Sequence, residues 1–168
     1  MMKLLLIFSC ALVFTSATFA QKTSLDYAAE GSRYYQDGDY KSAIKPYQKA
    51  VDLEKNDRKL AKDLWRAVVD NLGMAYGITG DIKNSQATLE YGIKEDPTYP
   101  MFHYNMACGY GELGKEDDAI GELRLAFKYR ENMIPGETLP DPLTDSSFEK
   151  FRKSEKFKKA IAEMKKGA

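Results

Sequence analysis

The stretch "ACGYGELGKEDDA", residues 107–119, places Gly109, Gly111 and Gly114 ahead of Lys115, the G-x-G-x-x-G spacing of a loop that cradles a pyrophosphate. Such a loop needs a strand before it and an acidic residue about twenty positions later, at the end of a second strand. Neither is present: the glycines sit within and at the end of a stretch with helical spacing, and nothing nearby alternates like a strand. His103 and Cys108 are the next candidates, but they stand five residues apart, about 140° around a helix, and share no face for a metal. His103 is the only histidine, and the second cysteine, Cys10, lies near the N-terminus, so no ligand set can be completed. His103 is expected in a helix–helix interface or at its edge. The pair Asp117–Asp118 opens a helix, where the macrodipole favours it, and offers no paired general acid and base. These residues predict a protein with no cofactor, no metal and no catalytic group.

Charge narrows the field further. The 25 Lys/Arg balance the 25 Asp/Glu, so no global electrostatic case for nucleic acid exists. The balance hides an asymmetry: residues 21–148 carry net −6 and residues 149–168 carry net +5. That basic tail invites contact with an anionic membrane surface, but its apolar residues divide between two helical faces, which favours a structural role. The first twenty residues read as an export signal: Lys3, an uncharged apolar run from Leu4 to Phe14, then Thr18-Phe19-Ala20, which suits cleavage before Gln21. The run is too short for a membrane span, and Phe8 before Ser9 fits a lipidated Cys10 poorly. The mature chain is therefore expected in the periplasm or secreted, with Cys108 as its single thiol and no internal disulfide.

The elements that position these residues repeat. Asp70 to Gly92 and Tyr104 to Ala126 align at an offset of thirty-four residues, pairing Asn71 with Asn105, Tyr76 with Tyr110, Gly77 with Gly111 and Gly80 with Gly114. A third copy lies forty-two residues before the first of these, in Gly31, Tyr34, Gly38, Ala43, Tyr47 and Ala50. Periods of this size belong to solenoids of stacked supersecondary units. Apolar spacing of three and four (Leu64, Val68, Leu72, then Leu89 and Ile93) makes each unit a helical hairpin. Gly38 and Gly80 are expected to end one helix in a left-handed conformation, with Asp39 and Asp81 capping the next. The small residues Gly31, Gly73 and Ala107 would let paired helices approach closely. The insert Arg58–Trp65, with Asp57 as a cap, is expected to lengthen the following helix by two turns.

These motifs resemble tetratricopeptide repeats over residues 24–57, 66–99 and 100–133, with Pro97 at the family's closing proline and Lys115 where an aspartate is usual. The resemblance implies an all-α fold, three antiparallel hairpins stacked as a short solenoid. It also implies a concave groove, lined by the first helix of each pair, that holds a protein or peptide. The matching groove positions are Ala28, Ala29, Ser32, Tyr35, Gln36, Asp70, Asn71, Met74, Tyr104, Asn105, Cys108 and Glu112. Asn71 and Asn105, one repeat apart, either pair with a peptide backbone or are solvated residues kept by duplication. The family's carboxylate-clamp variant is not matched: Ala28, Ser32, Met101 and Asn105 lack its charges, and only Asn71 agrees.

After the third unit, the prolines and glycine of residues 134–145 predict a linker, and residues 146–168 resume helical spacing. Ser146 with Glu149 suggests a capping box, and the phase change between Phe148/Phe151 and Phe157/Ile161/Met164 predicts two short helices meeting near Ser154. The end of a solenoid needs a cover for its exposed apolar face, and this tail would supply one. The expected function is that of an exported, non-enzymatic adaptor or scaffold. The alternative is a structural subunit of an envelope complex, using its convex face or basic tail.

Overall fold

The computed structural model describes residues 21–167, and the expected signal segment, residues 1–20, lies outside them. Three antiparallel hairpins follow one another: α1 (Ser24–Gln36) with α2 (Tyr40–Asn56), α3 (Lys62–Ile78) with α4 (Ile82–Glu95), and α5 (Pro100–Glu112) with α6 (Glu116–Lys128). A short 3-10 turn, a 3-10 helix (Ser146–Phe151) and α7 (Glu155–Lys166) complete the chain, with no strand among the described residues. Second helices pack on the next first helix, α2 on α3 and α4 on α5, while α1 also meets α3 and α3 meets α5. This is a short TPR-like solenoid of paired helices.

The hairpin turns explain themselves locally. Gly38, Gly80 and Gly114 take φ of 75°, 86° and 72°, a region that costs other residues about 1–2 kcal/mol. Asp39 then accepts from the Ser42 amide at 3.0 Å and Asp81 from the Asn84 amide at 3.2 Å. Lys115 makes no such bond, and α6 carries Glu116, Asp117 and Asp118 in its first turn against the helix dipole instead. At Gly31 an added methyl would stand 2.5 Å from the Tyr47 ring, so the first hairpin closes around a glycine–tyrosine contact.

Two local expectations are corrected. Asp57 does not cap α3. It ends α2, its amide bonding the Leu53 carbonyl, and α3 begins only at Lys62. The cause is Glu54, whose buried carboxylate accepts from the amides of Lys59 at 2.9 Å and Leu60 at 3.0 Å and gives that backbone a non-helical partner. The Ser146–Glu149 capping box does not form either. Asp145 caps the 3-10 helix by accepting from the Ser147 amide at 2.9 Å. The expected break at Ser154 is found, with its hydroxyl capping α7.

Two apolar clusters hold the molecule together. One runs through the three hairpins and centres on Tyr47, Trp65, Leu72, Leu89, Tyr99 and Phe102. The other joins α5 and α6 to the tail through Tyr104, Leu123, Phe148, Phe157 and Ile161. Fully burying each large side chain contributes about 1.5–3 kcal/mol, so the tail docks firmly as the cap of the last hairpin. His103 lies inside the α5–α6 interface, with Nδ1 2.7 Å from Glu122 Oε2 and Nε2 2.9 Å from the Pro97 carbonyl. Burial opposes its charge, yet these partners outweigh burial and raise its pKa.

Candidate protein-binding face

The exposed surfaces of α1, α3 and α5 form one face, and its two ends differ. At the end near the hairpin turns lies a cleft of about 590 Å³ between α3, the start of α4 and α5. Met74, Asn105, Cys108 and Glu112 line it, four of the residues expected in a groove. Ile78 and Leu113 join them, each about half exposed (51% and 48%), so two exposed large apolar side chains meet at one cleft. Both fall in the last turn before a hairpin glycine, where the chain leaves the helix and no neighbour covers them. Ser146 and Ser147 of the tail close one wall. The cleft has a single charged lining residue, Glu112. Burial pushes the Cys108 thiol up to about 12, with Asp145 adding to the shift, so it is a packed, unreactive group there.

Most of the other expected groove residues are committed within the protein. Tyr47 donates to the Ser32 hydroxyl at 3.1 Å, and Asn71 donates to the Tyr47 hydroxyl at 3.2 Å. This chain of bonds ties α1, α2 and α3. Tyr35 packs edge-on against Tyr40 and Tyr47, and burial followed by the nearby Asp70 pushes its phenol up to about 12. Gln36 is exposed at the end of α1. Asn105 is buried and donates its amide to Asp70 Oδ1 at 2.7 Å, joining α5 to α3. Asp70 is itself buried, and desolvation pushes its carboxyl up to about 7 against the opposing Asn105 hydrogen bond. Tyr104 is buried, its hydroxyl donating to Asp145 Oδ2 at 2.9 Å. The two asparagines thus act as inter-helix ties, although Asn105 also borders the cleft.

Sequence reasoning missed what covers the N-terminal end of this face. Asn132 and the residues after it, including the expected linker 134–145, run along it. Arg66 Nη1 on α3 donates to the Asn132 carbonyl at 3.3 Å, and the Tyr99 hydroxyl donates to both oxygens of Glu137 at 3.0 and 2.9 Å. Ile134 packs against the first apolar cluster, and Leu139 and Leu143 against the second. Asp141 accepts from Lys165 at 2.7 Å. Beneath this segment, Arg66 pairs with the buried Asp96 at 2.8 Å, and Lys62 reaches the same carboxylate at 3.2 Å. Burial works against that carboxylate's charge, but Arg66, Lys62 and Thr98 outweigh it and hold Asp96 below the usual range.

Among the described residues, no group of three or more His, Cys, Asp or Glu is placed to hold a metal ion, and no helix is long and apolar enough to cross a membrane. The tail's cations are turned inward in part: Lys150 bonds the Glu112 carbonyl, Lys156 bonds Asp117, and Lys165 bonds Asp141.

No family model matches the chain. Its sequence is similar to the photosystem I assembly protein Ycf3 of Synechococcus sp. strain CC9605, at 27% identity over 101 residues, covering 60% of this chain and 56% of that protein. The Ycf3 proteins of strains WH7803 and CC9311 are likewise 27% identical over 107 residues, covering 60% of this chain and 59% of each. The match therefore spans a little over half the length of these curated relatives.

Proposed function

We propose that this protein is a non-enzymatic adaptor that binds a protein or peptide on its first-helix face, at the cleft between α3 and α5. The observation that carries the reading is the exposure of Ile78 and Leu113 at the rim of that cleft, beside Met74 and with only one charge, Glu112, in its lining. Because Ile78 and Leu113 are each already about half buried, covering the remainder against a partner would contribute about 1 kcal/mol each, a modest apolar anchor for association. The similarity to proteins named for assembly of a larger complex supports a protein-binding role, and the partner here is a protein of unassigned identity.

The test is affinity capture with residues 21–168, comparing wild type with Ile78→Lys/Leu113→Lys. Partners retained by the wild type should be lost from the variant while helical content stays the same. Equal recovery by both would remove the cleft from the function. The proposed location outside the cytoplasm rests on residues 1–20 alone, and N-terminal sequencing of the protein from cell fractions checks it. A mature chain starting at Gln21 is the expected result.

A further inference from the structure

The segment Ile134-Pro135-Gly136-Glu137 is a tight turn with its own bracing. The Glu137 amide donates to the Ile134 carbonyl at 3.0 Å, Gly136 has φ of 94°, and the Ile134 amide donates back to Glu137 Oε2 at 3.2 Å. Proline followed by a positive-φ glycine is the composition of a type II turn, which is preorganised before it meets anything. The turn presents one apolar side chain, Ile134, to the hairpin core and one carboxylate, Glu137, to the Tyr99 hydroxyl. Tyr99 is a rigid reader of that carboxylate: with the segment in place it is fully buried, stacks edge-on against Phe102 at 4.8 Å, and has the Arg66 guanidinium 4.9 Å from its ring.

The polar part of the attachment is of a releasable kind, while Ile134 and, further on, Leu139 and Leu143 add apolar packing. Glu137 itself is exposed, and Asp141, the next polar anchor, pairs with Lys165 at the surface, where such a bridge is worth little. The segment adds no α-helix or strand to the fold, yet it lies over α3 at Arg66 and over Tyr99 at the start of α5, with Glu137 near enough to Asp70 to add to the upward shift of that carboxyl. Asp145 fixes its far end by capping the tail. We infer that the N-terminal end of the first-helix face is a second recognition site, for an acidic peptide turn that carries an apolar residue beside its carboxylate, and that residues 134–137 are its resident occupant. An outside ligand of that chemistry enters by displacing the turn. Tethering at both ends gives the resident a high effective concentration, so the intact protein binds such a ligand weakly. The inference deepens the adaptor reading and rests on it for its biological use, but not for its geometry.

The probe is a synthetic peptide with the sequence of residues 132–140, followed by two-dimensional amide NMR of the full mature chain. The loosened variant is Gly136→Val/Glu137→Gln. Valine at a positive φ disfavours the turn without touching other residues, since nothing lies within 4 Å of the Gly136 position. The expected result is saturable shifts at Arg66, Asp70 and Tyr99, with affinity at least tenfold higher in the variant than in the wild type. A peptide carrying glutamine in place of its glutamate should lose that gain. Equal affinity for both proteins, or a folded variant with no shifts at these residues, overturns the inference. Should the double variant fold poorly, Glu137→Gln alone gives the same readout. Peptide binding without any captured partner would sink the adaptor reading and leave this one standing; partner capture without peptide binding would do the reverse.

Discussion

Asn71 and Asn105 stand thirty-four residues apart at matching positions of α3 and α5, and they tie their hairpins to the preceding one in different ways. Asn71 is half-buried and bonds a neutral phenol, Tyr47, which passes the bond on to Ser32. Asn105 is buried and bonds a carboxylate, Asp70. The difference lies in the partner positions. The residue forty-two after Tyr47 is Leu89, which has no hydroxyl, while the residue forty-two before Asp70 is Ala28, which has no carboxylate. Repetition conserves where a side chain stands, but the substitution of one neighbour decides what it bonds to and how much charge the joint carries.

That contrast can be broken from either side. The largest effect is expected for Asn105→Ala, which leaves a buried carboxylate without its donor and should cost about 3 kcal/mol at pH 8 by denaturant unfolding. Next is Asp70→Asn, which should stabilise. A group raised from 3.8 to about 7 on folding contributes stability that is complete below 3.8 and lost as pH climbs through 7. The ceiling is about 4 kcal/mol, and the weaker amide acceptor brings the expected gain at pH 8 to about 2 kcal/mol. Asn71→Ala should cost only about 0.5–1 kcal/mol, independent of pH between 5 and 8, because Tyr47 keeps its bond to Ser32. If Asn71→Ala proves as costly as Asn105→Ala, the distinction between a neutral and a charged joint fails. The smallest effect sharpens the assignment. His103 is raised above 6.5, so its contribution is present below that value and lost as pH rises through its folded pKa. A residual fall in thermal midpoint as pH rises above 6.5 should therefore survive in Asp70→Asn and vanish when His103→Gln is added.

Much of the architecture could be read from residue spacing because the determinants are local. Glycine at the turn, aspartate after it and apolar residues at three and four act within one or two helical turns, and the hairpins follow from them. The insert at Arg58–Trp65 was misread because Glu54, a residue of the preceding helix, takes two amides that a capped helix would have used. The candidate site was legible only where the repeat itself supplied it: Met74 on α3 and Asn105, Cys108 and Glu112 on α5, equivalent first helices, share a cleft. Its far end was hidden because the contacts that define it join Tyr99 to Glu137 and Tyr104 to Asp145, 38 and 41 residues along the chain. Proline and glycine announce that a helix stops. They do not say which surface the stopped chain will lie on.

Gly111 and Gly77 occupy equivalent positions, and the neighbours that they admit differ. A methyl at Gly77 would meet Ser85 of its own hairpin at 3.4 Å, an ordinary distance for a side chain that can give way. A methyl at Gly111 would run into the backbone carbonyl of Ser147, which cannot retreat without lifting the tail and Phe148 with it. The position thus works as a stop codon written in space: it admits a terminator at one place in the array, and a single added carbon there would leave the last hairpin with an open, apolar end on which further copies of the chain could stack.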